Sequence, residues 1–405
     1  MNTSLVLSDA FPAIKRGPLS YLKVRASNAR VGADASPYQL ATTYTGQSTK
    51  FAGLPRFTLN DNIANANLKP ELTTSAEGGF ELGLFDSRAS IDATWYNKTT
   101  KDEIINLTVS QASGFNTVTI NAGNLNNKGF EGILNLTPLR TLHSEWTSSF
   151  NFSHNYETVR SLAPGLTNIN LGSQWALNVE ARGPDPKTGA ISPYWTLFGF
   201  PYARDSAGNI LTSGGLPTKG AKRVLGNIQA RWTGGWNNTL TYKAFTLSAL
   251  VDFHVGGDIF SISNMFGQYS GVFQESMVGR EVDWNNPGLV VKGIDTKTGK
   301  PNTINVTAEQ YYQDALFELH EAFIYKDTYT KLREVRAGLD LPQWVANRMY
   351  SRGVNLSFVA RNLYTWTNVP NIDPEFAYST GNSQGMEFAA LPNARSVGFN
   401  VRITP

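Results

Sequence analysis

The sequence predicts an all-β chain, folded as part of an antiparallel transmembrane β-barrel. Three observations predict it: apolar residues alternate strictly over long segments, those segments exceed ordinary strands in length, and the connections alternate between short and long. The clearest case lies within 225–261. Phe245, Leu247, Ala249, Val251, Phe253 and Val255 fall on one face, Thr246, Ser248, Asp252 and His254 on the other, with Leu250 the exception. Period two marks a strand with one apolar face. The preceding segment, 227–241, carries Trp232, Trp236 and Leu240, and the short Tyr242-Lys243 region joins the two as a hairpin. Each arm is longer than the ~5–6 residues of a globular strand and suits the ~9–11 that a tilted strand needs to cross a bilayer.

From the N-terminus, segments of this kind recur at 20–32, 71–85, 88–97, 128–137, 145–156, 227–241, 244–255, 329–339, 353–363 and 395–404. In 88–97 the apolar set is Ala89, Ile91, Ala93 and Trp95; in the last it is Val397, Phe399, Val401 and Ile403. Short links at 86–87, 138–143, 242–243 and 342–350 take turns with long ones at 33–70, 98–127, 157–226, 256–328 and 364–394. A soluble sandwich has no reason to gather every long connection at one end, whereas an outer-membrane barrel has short periplasmic turns and long extracellular loops. The long links are rich in Gly, Pro and Asn, as at 183–186 and 214–217.

Composition narrows the function. A net charge of +3 on 405 residues is too small to point to nucleic acid, and the absence of Cys removes disulfides and thiol chemistry. No apolar run of ~18 residues is present, so no helix spans a membrane. Residues 1–9 lack the basic-then-apolar plan of a signal peptide, which leaves a cytosolic protein or a fragment without its natural N-terminus. His143, His154, His254 and His320 show no metal-ligand spacing, and no nucleophile, base and acid stand together. Neither an enzyme, a metal site nor a cofactor is expected.

Binding candidates are aromatic. Tyr194, Trp195, Phe198, Phe200 and Tyr202 cluster in one long loop that also holds Trp175. Flat rings suit sugar faces or peptide side chains, although a long loop also needs a small core of its own. Trp95, Tyr96, Trp146, Tyr156, Trp232, Tyr242, Tyr364 and Trp366 lie near strand ends, where membrane barrels carry aromatic girdles. Asp373 and Glu375 could hold a cation or act as an acid/base pair, but with Pro374 they read better as a turn fixing a loop at the rim. Asn121, Asn124, Asn126 and Asn127, with Gly123 and Gly129, suit a polar loop re-entering a strand. Gly256-Gly257-Asp258 follows a strand but precedes no helix pattern, which argues against a phosphate loop. Alternation turns Asp92, Glu131, Asp252, Arg333 and Arg402 inward, toward a polar lumen.

Several stretches resemble the C-terminal barrel of the SusC/RagA-type TonB-dependent outer-membrane transporters. They are LKVRASNARVG (22–32), LKPELTTSAEGGFE (68–81), 95–105 with NAGNLNNKGFE (121–131), 225–261, 331–342, RNLYTWT (361–367), Asp373-Pro374-Glu375 and LPNARSVGFN (391–400), all in family order. The resemblance implies about ten strands of a barrel of about 22. It also implies import of oligosaccharides or peptides with a SusD-like surface lipoprotein and the TonB system. Nothing in the chain resembles the plug, and the end is Thr404-Pro405 rather than an aromatic residue. The expectation is therefore a single barrel portion over 1–405, a fragment inactive alone. A soluble or surface carbohydrate-binding or adhesive β protein is the alternative.

Overall fold

A computed structural model describes residues 1–15, 17–280, 288–377, 381 and 384–405. One large antiparallel sheet runs as a meander through β1 (Asn2–Val6), β2 (Leu19–Ala33), β3 (Glu71–Leu84), β4 (Ala89–Lys101), β5 (Gly123–Arg140), β6 (Ser144–Leu162), β7 (Trp232–Tyr242), β8 (Phe245–Val255), β9 (Tyr329–Asp340), β10 (Gly353–Thr367) and β11 (Ser396–Thr404). Sequence neighbours pair throughout, and β1 and β11 form the two edges. All ten expected strands are present, with β1 in addition; at five residues it is too short to reveal a period.

The register fixes the faces. One outward row crosses the wall through Val24, Phe80, Ala93, Gly132, Phe152, Gly234 and Phe253. Bulky and small residues alternate along it for a steric reason. A Cβ on Gly132 would stand 2.7 Å from the Phe152 ring, and one on Gly234 would stand 2.4 Å from the Phe253 ring. Each phenyl thus lies across its neighbour's glycine. Trp236, Leu240 and Phe245 share this face, as do Val397, Phe399 and Val401 of β11, and all are exposed. From Tyr242 to Trp232 the strand advances ten residues. At ~3.4 Å each and a tilt of ~40°, that is roughly the ~25 Å apolar band of a membrane barrel.

The long-loop end departs most from expectation. β4, β5, β6 and β10 each run several residues further than the alternation indicated, because polar cross-strand contacts replace apolar ones there. Asn126 Nδ2 donates to Asn97 Oδ1 at 2.6 Å and to the Lys98 carbonyl at 3.0 Å. The polar loop expected at 121–129 is therefore mostly strand. Conversely, 227–241 is not one strand. Asn227 closes Arg223–Asn227, a strand of the loop layer, its Nδ2 donating to the Trp195 carbonyl at 3.1 Å, and β7 starts only at Trp232. At the short-turn end, 342–350 contains a helix, Gln343–Arg348.

The connections at the long-loop end build a second layer. A four-stranded sheet (Asn168–Gln174, Leu177–Arg182, Thr196–Gly199, Arg223–Asn227) lies within the β6–β7 connection. Three small sheets staple neighbouring connections: Asn62–Ile63 pairs with Thr117–Asn121, Leu211–Ser213 with Ile294–Asp295, and Asp258–Ser261 with Met386–Glu387. The main buried cluster sits here and not on the wall. Leu177, Val179, Leu197, Phe260, Ile262, Met265, Phe323 and Met386 are all essentially inaccessible.

Candidate functional site

The inner face of the wall is polar and ion-paired. Lys23 and Arg25 on β2 hold Glu81 on β3 at 2.8 and 3.0 Å, and Arg25 reaches on to Asp92 on β4. These side chains fall into line because register places Lys23, Glu81 and Asp92 in one inward row. A recess of about 540 Å³ beside them is lined by Arg25, Asp92, Thr94, Glu131, Asn151 and Ser153. Asp92, Glu131 and Asp252 do share the lumen side, as alternation indicated.

The densest charge cluster joins β8 and β9 to the β10–β11 connection. The register shifts between Leu332 and Glu334, and again between Leu250 and Val251 on β8, so Arg333 is an extra, bulged residue. Its Nη2 donates to Asp252 Oδ2 at 2.6 Å and its Nη1 to Glu375 Oε2 at 2.7 Å. Lys331, almost fully buried, donates to Glu375 Oε2 at 2.7 Å and also holds Asp373. Asn393 Nδ2 adds a bond to Glu375 Oε2 at 3.0 Å. Arg333, then Lys331, hold the Glu375 carboxyl down at about 2. The segment carrying Asp373-Pro374-Glu375 is thus strapped across the inner wall, and its carboxylates are occupied by cations of the chain itself.

Under this strap lies a cavity of about 370 Å³, lined among others by Ser153, Trp195, Thr233, His254, Tyr329 and Pro374. His254 stacks on Tyr329 with ring centroids 5.1 Å apart, and its Nε2 is 3.4 Å from Asp327 Oδ2. Burial, with Asp258 nearby, pushes the Asp327 carboxyl up to about 7. This chamber combines the hydrogen-bonding groups of His254, Asp327 and Gln229 and the ionised Glu375 with aromatic edges, a lining suited to a polar organic ligand.

The loop aromatics do not form one surface. Tyr194 is buried against Trp195 (centroids 4.9 Å), and Trp195 and Tyr202 pack on the main cluster of the loop layer. Burial accordingly raises the phenol pKa of Tyr194 and Tyr202. Phe198 lies under Arg182, and Phe200 lies under Lys219 and Lys222. Only Trp175 of the six is strongly exposed, and its neighbours come from another connection: Phe266 at 4.8 Å and Phe317 at 6.3 Å, with Tyr269 beside Phe317 at 4.7 Å. Trp175, Phe266, Phe317 and Tyr269 make an aromatic patch that sequence order hides, since it spans more than a hundred residues. Among the expected girdle residues Tyr96 is the exception. It faces inward, its hydroxyl donating to Asn155 Oδ1 at 2.8 Å and its ring covering Gly129, where a Cβ would stand 2.4 Å from the ring.

His320, a residue with no sequence signal, joins two connections. The Phe200 N–H donates to its Nδ1 at 3.0 Å, so Nε2 carries the proton and donates to the Trp175 carbonyl at 2.9 Å. Burial pushes its pKa down to about 4. Asn121 has a similar joining role. Its Nδ2 donates to the carbonyls of Lys69 and Asp102 at 2.8 and 2.7 Å, while its Oδ1 accepts from the Lys69 N–H at 2.9 Å. Gly123 permits β5 to approach β6, because a Cβ there would stand 2.2 Å from the Ser161 carbonyl. Asn127 and Glu131 follow on β5 itself.

Known proteins share this arrangement. TonB-dependent receptor P3 of Formosa agariphila is 25% identical over 378 residues, covering 84% of this chain and 35% of the relative. TonB-dependent receptor SusC of Bacteroides thetaiotaomicron is 28% identical over 142 residues, covering 30% of this chain and 14% of that protein. The chain thus spans about a third of the length of P3. Among solved structures, the RagAB peptide transporter superposes with a TM-score of 0.72 at 17% identity, covering 99% of this chain and 43% of that one. The RagAB importer in its open-open state gives 0.72 at 18% identity, over 100% and 42%. At such identity the superpositions speak for the fold: the meander and its loop layer are those of a SusC/RagA-type barrel. The model of the family described as TonB dependent receptor-like, beta-barrel matches residues 18–269, more than half of the sequence, and the chain belongs to that family.

Proposed function

We propose that this chain is a wall and loop portion of an outer-membrane importer of the SusC type, taking up bulky nutrients, oligosaccharides or peptides. In that setting the long loops face outward from the cell and a SusD-like lipoprotein closes over them. The energy comes from the TonB system acting through the rest of the receptor. The observation that carries the reading is the opposition of faces: an exposed apolar outer face against an ion-paired inner face, capped at one end by a layer with its own core. Such a sheet suits lipid on one side and an aqueous lumen on the other. Its edges β1 and β11 need pairing partners before it can sit in lipid, so transport requires a closed barrel.

The test is deletion of the whole receptor that carries this chain, followed by growth on oligosaccharide or peptide mixtures as sole nutrient. Loss of growth on polymers, with growth on monomers intact, supports import. Unchanged growth on both, with the protein recovered in buffer without detergent, favours a soluble binding or adhesive protein.

A further inference from the structure

The outward face of the wall changes character above its upper aromatic row. Trp95, Phe130 and His154 are register partners across β4, β5 and β6, His154 lies 4.9 Å from the Trp232 ring, and Trp232 pairs with Val255. Two residues further toward the long-loop end the same face carries Lys128 opposite Tyr156. Beyond them come Arg30, Lys101 and Arg160. By strand alternation these four are the charged side chains that share a face with the apolar rows, and no carboxylate of the described strand residues does. All four are cations at one end, and none has an ion-pair partner among the described residues.

Next to Tyr156 this face opens into a cavity of about 490 Å³, lined among others by His154, Arg231, Gly256, Asp258 and Lys326. Asp258 is its carboxylate, and it is already engaged by the Asn227 N–H at 2.8 Å and by Lys326 Nζ at 2.6 Å. Arg231 is exposed and has no ion-pair partner among the described residues, while its carbonyl oxygen is bonded to His154 Nδ1. A free guanidinium at the mouth of a polar recess, directly above aromatic rings, is an arrangement for an oxyanion.

We propose that this cavity, with Arg231 at its mouth and Lys128 beside it, seats the phosphate of an anionic glycolipid head group of the outer leaflet. The proposal rests on the outer-membrane reading above. Aromatic girdles sit at head-group depth, and two residues of strand place Lys128 ~7 Å beyond the upper row, where lipid phosphates lie. Acyl chains of the same molecule would rest on Phe130, Phe152 and Val255 of the apolar rows, a contact that free phosphate cannot make. Cations confined to the long-loop end put this attraction for phosphate at one leaflet only.

The experiment uses the intact receptor purified in detergent, with native mass spectrometry reading the retained lipid. The probes are lipid A, dephosphorylated lipid A and inorganic phosphate. The wild type is expected to retain lipid A at least tenfold better than the dephosphorylated form. Arg231→Gln with Lys128→Gln should abolish that preference while leaving strand content by circular dichroism unchanged. Equal retention of the two lipids, or full retention by the double variant, overturns the proposal. Displacement of lipid A by millimolar inorganic phosphate overturns the lipid as the source. A receptor extracted without detergent would instead defeat the outer-membrane reading, so the two failures are distinguishable.

Discussion

The wall and the loop layer of this chain are built on opposite economies of apolar surface. The wall exposes it: Phe399 and Val397 are 77% and 65% accessible, and phenyl rings laid over glycines give adjacent strands part of their mutual cover. The loop layer hides it, with Phe260, Phe323, Leu177 and Leu197 at 0–1%. Each part therefore draws its stability from a different source. The layer folds against water, by burial, whereas the wall is held by ladder hydrogen bonds and awaits lipid for its outer face.

The largest effect is expected in the layer. Phe260→Ala should destabilise it by ~3–5 kcal/mol, the range for deleting a buried phenyl ring. Hydrogen exchange should accelerate over 168–227, 258–280 and 288–326 while β4 to β7 stay protected. Uniform acceleration would mean that wall and layer unfold as one unit. Of similar size is Lys331→Ala, which leaves Asp373 and Glu375 short of a cation and should cost ~3–5 kcal/mol locally. The readout is release of the 369–377 strap to protease.

An intermediate effect belongs to the wall. Gly132→Val places a side chain where the Phe152 ring lies and should cost ~1–3 kcal/mol by overpacking. Gel mobility before and after heating would show it as a lower unfolding temperature in detergent.

Acidification should divide the two regions by pH. His320 is buried neutral, so its contribution is complete above the ordinary histidine value of ~6.5 and is lost as pH falls toward about 4. Glu375 is held ionised by Arg333 and Lys331, so its contribution persists from neutral pH and is lost only as pH falls from the ordinary glutamate value of ~4.3 toward about 2. Exchange at pH 5 should therefore loosen the contact of 199–202 with 318–322 before the strap. The reverse order would refute both assignments. Trp175→Ala should change stability least, within ~0.5 kcal/mol as for other surface changes. A loss of ligand or lipoprotein binding there would identify the aromatic patch as a docking site.

The wall was legible in the sequence because period two survives wherever one face meets an apolar medium. Val397, Phe399, Val401 and Ile403 declare their strand unaided. Where polar contacts hold strands together, as Asn126 does for β4 and β5, the period vanishes and the strand ends were misplaced. Asp373 and Glu375 stood out by residue type, but Arg333, the partner of Glu375, sits on a bulge that leaves no local pattern in the sequence. The aromatic patch was the least legible. Trp175 meets Phe266 and Phe317 only after two connections fold together, and a contact at that separation leaves no local pattern.

The parallel staples at Asn62–Thr117, Leu211–Ile294 and Phe260–Met386 have a consequence for inheritance. A loop exchanged between relatives would arrive without the strand its neighbour needs, leaving backbone groups unpaired on both. The heritable unit of variation at this end of the molecule is then a set of adjoining loops. New specificity is expected to be acquired by whole sets, and recombination breakpoints should fall in the short turns at the opposite end.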